Sequence, residues 1–209
     1  MKPSSDFAHN VFINCPIDAH YNPLFHAMVF TIHLLSFRPR CSREASDSGH
    51  VRLQKLMNII ANCKFGIHDI SRTGPDRENR LPRFNMPFEL GVDLGFRCGG
   101  NAKCQTKVHL VLDKEQYRYQ KFLSDISGQD ISAHSNRISE VVTIIRDWLR
   151  SATHARDMPS GAIVLDQYRR FRRDLPKMCK LANLQMNQIT FPDYSYIVAE
   201  WISTKYKKP

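Results

Sequence analysis

No stretch of this 209-residue chain carries an apolar run long enough to cross a bilayer, so the pattern of a helical membrane protein is missing. The opening residues, Met1-Lys2-Pro3-Ser4-Ser5-Asp6, lack the apolar core of a secretory leader. Cysteine occurs six times but never as a C-x-x-C pair, and the closest two, Cys98 and Cys104, have no second pair to complete a metal site. A cytoplasmic protein with reduced thiols, no structural zinc and no membrane partner is expected. Internal repeats and low-complexity tracts are also missing. Acid is the scarcer charge, with 20 aspartates and glutamates against 30 lysines and arginines and a formal net charge of +10. That surplus favours an acidic partner, whether nucleic acid, a phosphate-bearing small molecule or an acidic protein.

What is present is enough hydrophobic sequence, 42%, for one packed domain and an extension. Short apolar runs alternate with longer amphipathic ones. Residues 10–15 read as a buried strand stopped by Pro16, and residues 21–35 as a helix with one broad apolar face. Residues 37–41 form a weaker strand, which Pro39 assigns to an edge. Asp47-Ser48-Gly49 offers a cap for a helix carrying Val51, Leu53, Leu56, Met57, Ile59 and Ile60. A third strand covers residues 64–69, an arginine-rich loop residues 71–83, a fourth strand residues 107–112 and a short fifth strand residues 129–134. A helix over residues 138–149 closes the domain.

This alternation predicts an α/β fold: a flavodoxin-like open parallel sheet of five strands with helices on both faces. Residues 1–150 form that domain. Residues 151–209 form a helical C-terminal extension, interrupted at Pro176, that packs on the domain or on a partner. In such a sheet ligands bind beyond the carboxyl ends of the strands. Asn14, Cys15, Pro16 and Asp18 after the first strand, Asp69 and Ser71 after the third, and Asp113 after the fourth are expected to meet there.

The same rim receives the stretch on which the functional reading turns, residues 81–95. Asn85 suits a helix N-cap and Pro87 a first turn, so a helix is expected to start at Met86. Glu89 then sits near the positive end of the helix dipole, which favours its ionised form. Gly91 and Gly95, four apart, are expected to admit a close neighbour, such as a strand.

Pro82-Arg83, Asn85 and Phe88-Glu89-Leu90-Gly91 resemble the P-R-x-N-x-x-F-E-L-G signature of bacterial TIR-like nucleotide-binding domains. They are more distantly similar to the E-L-G helix of nucleoside 2-deoxyribosyltransferases. The resemblance spans residues 10–113, the scale of one domain. It implies that Glu89 is the catalytic carboxylate and that it acts on the N-glycosidic bond between a ribose and a base. NAD is then a substrate, no cofactor is needed, and the reaction is that of an NAD glycohydrolase. Relatives act as effectors in bacterial defence, which implies a homo-oligomer or a regulatory partner protein. The deoxyribosyltransferases carry an aspartate six residues before their glutamate, where this chain has Arg83. That departure favours the TIR-like reading over a transferase.

The remaining assignments follow from position. Asp69 orients ribose hydroxyls, Asn85 caps the helix or touches the ligand, and the planar fork of Arg83 suits phosphate oxygens. Asn14, Cys15, Pro16, Asp18 and Ser71 complete the substrate-binding set, with no metal ligand among them. His68, in an apolar strand, reads as a satisfied core histidine. A second class of function stays open: a nucleotide or nucleic-acid sensor without chemistry, gripping phosphates through Arg169, Arg170, Arg172 and Arg173 on one helix.

Overall fold

The computed structural model describes residues 7–44, 49, 51–75 and 80–206. Five parallel strands form one open sheet in the order β2-β1-β3-β4-β5. They are β1 (Asn10–Asn14), β2 (Arg38–Arg40), β3 (Phe65–Asp69), β4 (Val108–Asp113) and β5 (Ser132–Ala133). β1 and β3 are buried at every position, as expected of central strands covered on both faces. β2 pairs only with β1, so the N–H that Pro39 lacks is not needed on its outer side. This is the flavodoxin-like order, and it reverses between β1 and β3.

The helices are α1 (Asn22–Leu34), α2 (Arg52–Ala61), α3 (Asn85–Gly99), the short α4 (Ala102–Gln105), α5 (Ile138–Thr153), α6 (Gly161–Leu181) and α7 (Phe191–Tyr206). α1 and α5 cover one face of the sheet, while α2 and α3 cover the other, where Phe12 meets Leu56, Ile59 and Ile60. α6 and α7 pack against α1 and α5 and share their hydrophobic cluster. α1 therefore lies between sheet and extension. That explains why its apolar face is so broad: on the extension side Phe30 stacks on Phe171 with ring centroids 5.1 Å apart and meets Tyr168 and Trp201. Among the described residues no helix is long and apolar enough to cross a membrane.

Three local expectations are corrected. Pro176 does not interrupt α6, which runs through it. Pro176 is exposed, so the carbonyl it leaves without a donor can turn to water. Gly91 and Gly95 have no close neighbour: both are exposed, and a Cβ on either would meet nothing within 4 Å. The tight approach is instead at Gly66 on β3, where a Cβ would collide with Asp93 Oδ2 and lie 2.9 Å from His68 Nε2. Finally, α3 begins at Asn85, not Met86. Phe84 already has helix-like φ −87° and ψ −8°, and its carbonyl accepts from Phe88 N at 2.9 Å. Asn85 is thus inside the first turn and does not cap it. The expected cap residues Asp47 and Ser48 lie outside the described residues, and Val51 occupies the N-cap of α2.

Candidate active site

The ends of β1 and β2, the first turns of α3 and the N-terminus of α2 enclose a cleft of about 510 Å³. Glu89, Asn14, Cys15, Arg83 and Asn85 line it, joined by Cys41, Arg43 and Arg52, which the sequence did not single out. Leu81 and Phe84 stand at its mouth, and Phe84 is 68% exposed. Glu89 is the fifth residue of α3, past the turn where the helix dipole acts strongly. Burial therefore dominates and raises its pKa to about 7, against the opposing charge of Arg52. Desolvation thus works against the dipole, which by itself favours the ionised form of Glu89. Among the described residues Glu89 takes part in no ion pair.

Asn14 connects the cleft to a buried polar cluster. Its Nδ2 donates to the carbonyl of Met86 at 2.8 Å and to His68 Nδ1 at 3.1 Å. Both amide hydrogens are thus engaged. Among the described residues its Oδ1 has no hydrogen-bond partner, and Asn14 lines the cleft. His68 Nε2 in turn donates to Asp93 Oδ2 at 3.0 Å, one helical turn beyond Glu89. The other oxygen, Asp93 Oδ1, lies 3.1 Å from both Lys107 Nζ and His109 Nε2, at angles too poor for hydrogen bonds. Lys107 is fully buried and also donates to the carbonyls of Ile60 and Cys63.

Burial would push the Asp93 carboxyl up, but the contacts with His109 and His68 outweigh it and hold the group well below the usual range. Burial lowers His68, leaving it neutral with its proton on Nε2. His68, Asp93 and His109 have the chemistry of metal ligands and lie close enough together to share an ion. The Lys107 ammonium already supplies the positive charge that such an ion would bring. A signal for this cluster existed: Gly66 with His68, and Lys107 with His109, recur at two-residue spacing in adjoining strands, facing the helix that carries Asp93.

Asp69 does not reach the cleft. Its carboxylate is fully buried, accepts from Tyr21 Oη and from Ser71 N at 2.8 Å, and lies 2.9 Å from His134 Nε2. These contacts tie β3 to the start of α1 and the end of β5, so contact with ribose hydroxyls is not its role in this structure. Asp113 is likewise buried, and Arg118 Nη2 holds it at 2.7 Å. Pro16 is buried and borders neither the cleft nor the hollow beside it.

That hollow, about 670 Å³, opens over the ends of β1, β3 and β4 and contains Asp18 and Ser71. Arg83 lines both depressions. The predicted site residues therefore separate into two lobes that share one arginine. Arg169, Arg170, Arg172 and Arg173 lie far along the chain on the exposed face of α6, and Arg170 pairs with Asp166 at 2.9 Å. Compared with known protein families, with curated proteins and with solved structures, the chain matches none.

Proposed function

We propose that this chain is a TIR-like N-glycosidase that breaks the nicotinamide–ribose bond of NAD or of a close nucleotide relative, with Glu89 as the catalytic carboxylate. The observation that carries the reading is the setting of Glu89: partly desolvated, in no ion pair among the described residues, and lining a cleft together with Asn14. A carboxylate spent on structure would be paired or turned to solvent.

The chemistry needs little else. Nicotinamide leaves as a neutral base from a cationic ring, so its departure requires no general acid, and one carboxylate suffices to stabilise or trap the oxocarbenium ion. Water then captures the sugar. Desolvation serves this step, because the attraction between the carboxylate and a developing cation grows as water is excluded. Asn14 Oδ1 is placed to accept a ribose hydroxyl, and Phe84 offers an apolar wall to the leaving ring. Release of free nicotinamide from NAD, lost in Glu89→Gln, is the expected result; no product from any assembled state of the protein would count against the assignment.

The exposed arginines of α6 keep a sensor as the second reading. Salt-sensitive binding of oligonucleotides, removed by neutralising Arg169, Arg170, Arg172 and Arg173 together, is its signature. A transferase outcome is distinguished by whether a free base replaces water as the acceptor.

A further inference from the structure

The lobe beside the Glu89 cleft has a composition of its own. Arg72, Arg83, Lys114 and Arg118 converge on it, and among the described residues that line it Asp18 is the one carboxylate. Asp18 receives Arg72 Nη1 at 3.2 Å and Arg83 Nη1 at 3.0 Å, so it fixes two guanidinium groups on one wall while cancelling a single charge. On the other wall Arg118 is anchored by Asp113 and by the carbonyl of Ile70 at 2.8 Å. Ser71 lies between them. It is 4% exposed, it lines the hollow, and its Oγ has no hydrogen-bond partner. Three guanidinium groups backed by Asp18 and Asp113, Lys114 paired with the exposed Glu115 at 3.0 Å, and a position at the reversal in strand order leave a net-positive hollow suited to a tetrahedral oxyanion.

We infer that this hollow binds a phosphate or diphosphate group of the substrate, Arg83 joining it to the cleft in which Glu89 acts. The substrate class is then a nucleoside phosphate and not a free nucleoside. The inference rests on the Glu89 reading for its link to turnover, but phosphate binding itself does not depend on that reading.

The test is calorimetric titration of the full chain with inorganic pyrophosphate, which is read without catalysis. Saturable binding that weakens with added salt is expected. Arg72→Gln and Lys114→Gln, both at solvent-accessible side chains, each weaken it by about tenfold. The pair Arg169→Gln and Arg173→Gln removes as much charge from α6 and leaves it unchanged. In parallel, NAD is cleaved in preference to nicotinamide riboside, and Arg72→Gln erodes that preference. Pyrophosphate binding without any NAD cleavage upholds the hollow and refutes the Glu89 assignment. Cleavage of NAD and of the riboside at equal efficiency, an absence of pyrophosphate binding, or binding indifferent to Arg72 and Lys114 overturns the hollow.

Discussion

Asn14 gives one amide hydrogen to the unprotonated Nδ1 of His68 across 3.1 Å, and this bond fixes the orientation of the amide. The second hydrogen holds the carbonyl of Met86 in the first turn of α3, so the same side chain lines the cleft and sets the start of the helix bearing Glu89. Asn14→Ala should therefore raise KM for NAD and lower kcat together, by about tenfold or more in kcat/KM. His68→Gln, which can still accept from Asn14 and donate to Asp93, should retain more activity than His68→Leu. Steady-state kinetics on the three variants, with folding checked by circular dichroism, decides this. Equal loss in both His68 variants would show that only bulk matters at that position.

The Asp93–Lys107 pair is fully buried. Removing one partner leaves a lone charge in the interior, so Asp93→Ala should cost about 3–5 kcal/mol in urea unfolding. Asp93→Leu combined with Lys107→Met should recover a large part of that loss, since no charge then stays behind. A double variant as unstable as the single would mean that shape, not charge, is critical there.

Glycine substitutions separate a packed position from open ones. Gly66→Ala should destabilise by about 1–3 kcal/mol, because its Cβ would force Asp93 and His68 apart. Gly91→Ala and Gly95→Ala meet open space on a helix and should each stabilise by about 0.5–1 kcal/mol. Thermal melts of the three variants provide the comparison. Destabilisation at Gly91 or Gly95 would reveal a neighbour on that face of α3.

Acid should loosen the seam between α1 and α7. His26 stacks on Tyr194 with ring centroids 4.1 Å apart, and His33 shares a 2.7 Å hydrogen bond with Ser195. Burial lowers both histidines from 6.5 to about 4. Groups with a depressed folded pKa bind fewer protons when folded, so their contribution is complete above pH 6.5 and is lost as pH falls toward 4. Melting temperature should drop across that window, and His26→Gln with His33→Gln should flatten the drop. A slope unchanged in the double variant would place the acid response elsewhere.

Much of the fold could be read from the chain because strand and helix periodicities do not overlap. A strand over residues 10–15, the edge position of Pro39 and a short fifth strand within residues 129–134 all followed from local pattern, although β1 ends at Asn14 and β5 covers only Ser132–Ala133. What escaped were arrangements that only tertiary structure creates. Asp69 looked like a rim residue, but Tyr21 and His134, far away in sequence, close over it. Burial outweighs the helix dipole at Glu89, and the depth of the cleft is not encoded near Glu89 itself. Arg43, Arg52 and Arg72 come from loops and helix starts whose convergence depends on strand order. The motif located the carboxylate; it could not locate its neighbours.

The raised pKa of Glu89 also has a stability sign. A carboxyl whose folded pKa exceeds its unfolded value binds an extra proton when folded between pH 4.5 and about 7, so stability falls as pH rises through that range. Glu89→Gln should therefore be more stable than the parent at pH 8 by about 1–3 kcal/mol, allowing for the water that still reaches the group, and equal to it at pH 4. Denaturant unfolding at the two pH values reads this directly.

The most direct measurement is the pH profile of nicotinamide release from NAD. Because the carboxylate must be ionised, kcat/KM should climb about tenfold per pH unit below neutrality and level off above pH 7, and Glu89→Gln should abolish the profile by removing the activity. Release that is independent of pH between 5 and 8, or that survives Glu89→Gln, would contradict the role assigned to Glu89.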